Sequence, residues 1–156
     1  MNYNELSPED FDAIVTGEMT HHAIWLEHEL IGIISDHFVI KSRRSDFERL
    51  LMLREGLSFQ DKIDIVRAAI PLFTNAAASR RLKNLLAKVE EFKGVRNVLA
   101  HGVGAQGAPN ALNVEIVKRN GQIKVVTINT ETHERLMTEA EGILTALKEV
   151  RAQLPC

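Results

Sequence analysis

Cysteine, aromatic side chains, long apolar runs and a surplus of positive charge are scarce or missing here, and each shortage excludes something. The single cysteine, Cys156, is the last of 156 residues. No disulfide framework can be built from it, and a terminal position is a poor place for a catalytic thiol. That usage fits a reducing compartment. Aromatics make up 5% of the chain, so Leu, Ile, Val and Ala must fill most of the core. No apolar run approaches the roughly 20 residues that span a bilayer. Met1-Asn2-Tyr3-Asn4-Glu5-Leu6 also lacks the basic and apolar regions of a signal peptide. The expectation is a cytoplasmic protein with no membrane partner. The formal net charge is −2, whereas proteins that hold duplex nucleic acid by neutralising phosphates carry a basic excess. Any contact with RNA is therefore expected to be local.

The chain is long enough for one domain, 1–156, with a real core. Its 45% apolar and 26% charged residues are ordinary for a globular protein. Ser7-Pro8-Glu9-Asp10 reads as a helix start, with Ser as N-cap, Pro at the first helical position and acids in the first turn. Phe11, Ile14, Val15, Met19, His22, Trp25, Leu26, Leu30, Ile33, Ile34 and Phe38 then recur at spacings of three and four, predicting one long amphipathic helix. Ser45 with Glu48 predicts a capping box for a short second helix to about Arg54, closed by Gly56. Ser58 with Asp61 starts a third helix, with Pro71 near its end. Residues 76–100 form a fourth, with Leu82, Leu85, Leu86, Val89, Phe92, Val95 and Leu99 facing inward. Gly102, Gly104, Gly107 and Pro109 break it.

The period then shortens to two. Asn113–Val117 and Ile123–Ile128 flank Asn120-Gly121, a strong hairpin signal, so a hairpin is expected over about 112–129. Thr130 and Glu131 open a last helix through Leu136, Ile143, Leu144, Leu147 and Val150. The fold class read from this pattern is mainly α: a bundle of about five helices with a β-hairpin inserted before the last.

The run Arg96-Asn97-Val98-Leu99-Ala100-His101 is the place where chemistry would sit. Asn97 and His101 are four apart, so they share one helix face, and the long stem of Arg96 lets its guanidinium reach that face. His101 falls at the helix C-terminus, whose negative dipole end favours an imidazolium. An Arg fork can clamp a phosphate and stabilise charge building on its oxygens. A His titrating near neutrality can move protons as base or acid. Asn can orient the imidazole or donate to the phosphate. The same three residues can also do no more than satisfy the last carbonyls of a helix.

Arg96-Asn97-Val98-Leu99-Ala100-His101 resembles the Arg-x4-6-His signature of the HEPN superfamily, with Asn97 as the polar residue after the Arg. The placement at the end of the penultimate core helix of an α-bundle is similar too. The resemblance implies an HEPN-like fold and a metal-independent endoribonuclease, a toxin or a component of defence or stress responses. It implies catalytic roles for Arg96, His101 and Asn97, no cofactor, and cleavage of RNA in a composite cleft of a homodimer, with an antitoxin protein as a further partner. The alternative it carries is a non-catalytic binding or scaffold module for a protein or a nucleotide. One HEPN toxin group carries a modifiable Tyr two positions after the His; this chain has Val103 there, which speaks against that control.

Other patterns are weaker. Gly102-Val103-Gly104-Ala105-Gln106-Gly107 matches Gly-x-Gly-x-x-Gly but follows a helix and precedes a strand, so it reads as an exit loop rather than a dinucleotide site. His21, His22 and His28 crowd the first helix without forming His-Glu-x-x-His, so no metal site is expected. His22 lies on the apolar stripe and reads as a core or interface residue. Arg80, Arg81, Lys83, Lys88 and Lys93, like Arg43 and Arg44, read first as a solvated surface, balanced on that helix by Glu90 and Glu91. The sharper reading is a phosphate track.

Overall fold

The computed structural model describes residues 3–105 and 110–154. Cys156 and the Gln106–Pro109 part of the glycine-rich run lie outside the described residues. A short 3-10 turn, Tyr3–Glu5, precedes α1 (Pro8–Phe38). The start of α1 follows from its sequence: Ser7 Oγ accepts from the Asp10 backbone N–H at 3.1 Å and donates to the Asp10 carboxylate at 2.8 Å. Next come α2 (Arg44–Phe47), α3 (Phe59–Ala69) and α4 (Ala76–His101), then strands β1 (Val103–Ala105), β2 (Ala111–Val117) and β3 (Ile123–Asn129), and finally α5 (Thr130–Gln153). The mainly helical architecture with an antiparallel hairpin before the last helix is as the periodicity predicts. No helix among the described residues is long and apolar enough to cross a membrane.

The chain divides into two compact units, residues 1–23 with 91–140 and residues 24–90 with 141–156. The long helices α1, α4 and α5 each run through both. The first unit buries Phe11, Val15, Met19, Phe92, Val114, Ile128 and Leu136, together with His133. The second buries Leu26, Leu30, Ile33, Ile63, Val66, Leu82, Leu86 and Leu147. Within the second unit, Arg151 of α5 lies across Gly32 of α1. A Cβ built on that glycine would stand 2.1 Å from Arg151 Nη1, so the absent side chain is what admits the guanidinium. Arg151 then donates to Asp36 at 2.5 Å and Glu29 at 3.3 Å. Arg44 engages the other oxygen of Asp36 and gives Nε to Glu48 at 2.8 Å. Burial would raise the Asp36 pKa, but these two guanidiniums outweigh it and hold the carboxyl below its ordinary value.

Five expectations need correction. The second helix does not start on a Ser45–Glu48 capping box: no side chain caps it, and the Glu48 carboxylate is held by Arg44. It also does not run on as an α-helix, but widens after Phe47 into one π turn, Glu48–Met52, closed by the Leu53 N–H on the Glu48 carbonyl at 2.8 Å. Trp25 and Phe38 follow the apolar spacing of α1 yet are 49% and 53% exposed, because the buried stripe there is carried by Ala23, Leu26, Leu30, Ile33 and Ile34. Val95 and Leu99 are only half-buried. Lastly, Val103-Gly104-Ala105 is a strand, not an exit loop, since it finds backbone partners on β2, making the sheet three-stranded in the order β1-β2-β3.

Candidate functional site

The site is built at the end of α4, in the first unit. Helical spacing carries Leu82, Leu85, Leu86, Val89 and Phe92 inward along this helix. Its last two turns are more open: Arg96 and Asn97 are half-buried and His101 is exposed. Arg96 Nη1 donates to Asn97 Oδ1 at 3.2 Å. The structure thus brings together the adjacent pair. Among the described residues no hydrogen bond or ion pair joins His101 to either of them.

Gly102, directly after His101, ends the helix. Its N–H closes the last turn on the Val98 carbonyl at 2.7 Å. A Cβ on Gly102 would meet Val114 Cγ1 at 1.9 Å, the Val98 oxygen at 2.7 Å and the Glu115 oxygen at 3.2 Å. Strand β2 therefore lies directly on the helix end, and only a glycine lets it come so close. β1 then runs antiparallel to β2 with Val103 opposite Glu115 and Ala105 opposite Asn113. The hairpin predicted from Asn120-Gly121 is thereby tied to the residue next to His101.

Three arginines are half-buried, and their partners separate them. Arg44 holds Asp36 and Glu48, and Arg151 holds Asp36 and Glu29. Arg96 holds no carboxylate among the described residues; its one partner is a neutral amide, and its buried Nε has no hydrogen-bond partner. A cation taken partly out of water without an opposing charge is costly. An arginine left in that state has charge and donors to offer an anion that arrives from outside.

Several other charged and histidine residues have structural partners. Arg81 pairs with Glu149 at 2.5 Å, and Glu90 accepts from Arg67 at 2.6 Å and from Gln60 at 3.0 Å. Glu29 is engaged by Arg151. His22 is buried, with Nδ1 2.9 Å from the Glu18 carbonyl. Among the described residues no group of three His, Cys, Asp or Glu side chains could hold a metal ion.

One functional-looking group escaped the sequence reading. His133 of α5 is fully buried, 3.0 Å from the Glu18 carboxylate and edge-to-face with Tyr3 at 6.0 Å. The contact with Glu18 lacks the alignment of a hydrogen bond. Burial pushes the His133 pKa down, Glu18 and Glu134 oppose it, and His22 adds to the lowering. The available signal was spacing: positions 133, 136, 140, 143, 147 and 150 form one stripe, so this histidine belongs to the core.

Comparison of the chain with family models, with curated proteins and with solved structures returns no match.

Proposed function

We propose that the end of α4 is a phosphate-binding catalytic site and that the protein is an HEPN-type, metal-independent endoribonuclease. The observation that carries this reading is Arg96: half-buried, held only by Asn97, and with no carboxylate on it among the described residues. A guanidinium in that state suits a scissile phosphodiester, where it stabilises the charge that grows on the non-bridging oxygens. His101, exposed four residues beyond Asn97, suits proton transfer with a large, solvent-borne substrate. The 2′-OH of the RNA attacks the adjacent phosphorus, so the O2′–P bond forms as the P–O5′ bond breaks. A neutral His101 takes the 2′ proton, or an imidazolium gives one to O5′. One imidazole starts a turnover in one of these states, which favours a homodimer with two such ends on one cleft. The end groups are a 2′,3′-cyclic phosphate and a 5′-OH.

The test uses the full chain with total RNA in EDTA. Wild type should cleave, and His101→Ala should cut slower by roughly 10²–10⁴-fold, the usual contribution of a positioned acid or base. Arg96→Ala should lose at least as much as one missing oxyanion donor, about 10²-fold. Equal RNA survival with wild type and His101→Ala at high protein concentration would remove the catalytic reading. It would leave a non-catalytic module that binds a nucleotide or protein through Arg96.

A further inference from the structure

The hairpin carries a feature that the nuclease proposal leaves unused. Its turn is a three-residue loop: Gly121 N–H reaches the Lys118 carbonyl at 2.8 Å, Lys118 N–H reaches the Gln122 carbonyl at 2.8 Å, and Gly121 has φ +81°. That is a type I turn closed by a glycine in the left-handed region, and it is stiffened by Asn120 Oδ1 accepting from the Gln122 N–H at 3.1 Å. Three cations stand at this tip, Lys118, Arg119 and Lys124, all exposed. No acidic side chain pairs with any of them among the described residues. The one carboxylate of the hairpin, Glu115, points to the other face.

Register fixes that face. Val114 and Ile128 are buried, and alternation along the paired strands puts positions 112, 114, 116 and 118 of the first arm with 124, 126 and 128 of the second on the same side. Lys118 and Lys124 therefore lie on the side of the sheet that covers Gly102. They lie beyond the buried part, toward the tip. Direction completes the placement. β1 is antiparallel to β2 and enters opposite Glu115, so the residues before it, Gly102 and His101, belong to the end of β2 that leads to Val117 and Lys118. Lys118 is three residues past Glu115, about 10 Å along the strand.

We propose that the hairpin tip is an RNA-binding arm, in which Lys118 and Lys124, with Arg119 at the turn, hold the backbone of a single strand beside His101. This rests on the reading that the end of α4 acts on RNA. The polyanion follows from charge: a chain of net −2 concentrates three cations, unopposed among the described residues, at one turn, two of them on the face next to its exposed histidine. A single strand fits better than a duplex, because a few phosphate contacts at a narrow tip cannot replace the broad basic surface that a duplex requires.

The experiment measures binding, so it does not depend on cleavage. A short, fluorescently labelled single-stranded RNA is titrated in EDTA with the full chain carrying His101→Ala, and anisotropy is followed across salt concentrations. Adding Lys118→Ser and Lys124→Ser together should reduce the slope of log K against log salt by about 1.4, since each phosphate contact on a single strand contributes roughly 0.7. With the affinity at 1 M salt unchanged, that is about 25-fold weaker binding at 0.1 M. Lys118→Arg with Lys124→Arg should keep the slope, and Val125→Thr on the opposite face should leave binding as it was. An unchanged slope and affinity in the serine variant would overturn the arm, as would affinity for phosphatidylserine vesicles with none for RNA. Lysine-dependent binding without cleavage by wild type would keep the arm and remove the nuclease. Cleavage with lysine-independent binding would do the reverse.

Discussion

Arg96 is half-buried and His133 fully buried, and the two differ in the partners they meet there. Arg96 has no carboxylate partner among the described residues; His133 is driven toward the neutral form by burial, with Glu18 and Glu134 pulling the other way and His22 reinforcing the trend. In the unfolded chain His133 takes up its proton near pH 6.5. In the folded chain its pKa lies lower, so below pH 6.5 the unfolded state binds more protons. The stability contributed by a neutral His133 is fully present above pH 6.5 and is lost as pH falls below it toward the folded pKa, at no more than about 1.4 kcal/mol per pH unit. The melting temperature should therefore drop between pH 7 and pH 5.5, and His133→Phe, which keeps a ring against Tyr3, should flatten that drop. Parallel pH profiles for the two proteins would show that other groups cause it. Asp36 acts lower on the scale. Its depressed pKa stabilises the fold above about pH 3.8, the unfolded value, and that contribution disappears as acid titrates it in the folded state.

At the scale of elements, the contact between β2 and the end of α4 is the one that fixes the site. Gly102→Ala sets a methyl group against Val114 Cγ1 and, less yieldingly, against the Val98 backbone oxygen. The strand must lift, at a cost of about 1–3 kcal/mol by analogy with overpacked cores. RNA cleavage should fall further than the loss of stability accounts for. Gly94→Ala, two residues before Arg96 and with nothing within 4 Å of a built Cβ, should instead stabilise α4 by about 0.5–1 kcal/mol. Equal effects of the two substitutions on thermal unfolding would contradict this contrast. Which elements form was largely legible in the sequence. Ser58 with Asp61 starts α3 as expected, and the pair forms a capping box there, with Ser58 N–H on the Asp61 carboxylate at 2.7 Å. Ser45 with Glu48 has the same spelling and no such box, because Arg44 takes Glu48 and a local motif cannot register its competitor. α5 is likewise capped from outside the expected start, by Asn129 Oδ1 on the Thr132 N–H at 2.8 Å. β1 has no strand pattern of its own and exists through pairing with a segment ten residues downstream.

For the molecule as a whole, the candidate site was legible as a place and not as a state. Adjacency alone puts Arg96 beside Asn97, and the glycines mark where α4 stops. That Arg96 has no carboxylate among the described residues depends on where the acids of other elements are spent, and no local pattern carries that. The same holds for the arm proposed at the hairpin tip, whose bearing on His101 comes from strand register. Surface exposure offered a similar lesson in α1, where the stripe predicted from spacing takes in Trp25 but the buried face does not. This has an optical consequence. Trp25 is the one tryptophan of the chain and is 49% exposed, so its fluorescence begins from a partly hydrated indole. Denaturation should shift the emission maximum little, and unfolding is better followed by circular dichroism. Anything that settles on that side of α1 should instead produce a clear blue shift, making the native protein its own reporter of occupancy there. A large red shift on denaturation of the protein alone would show that the indole is sheltered in solution.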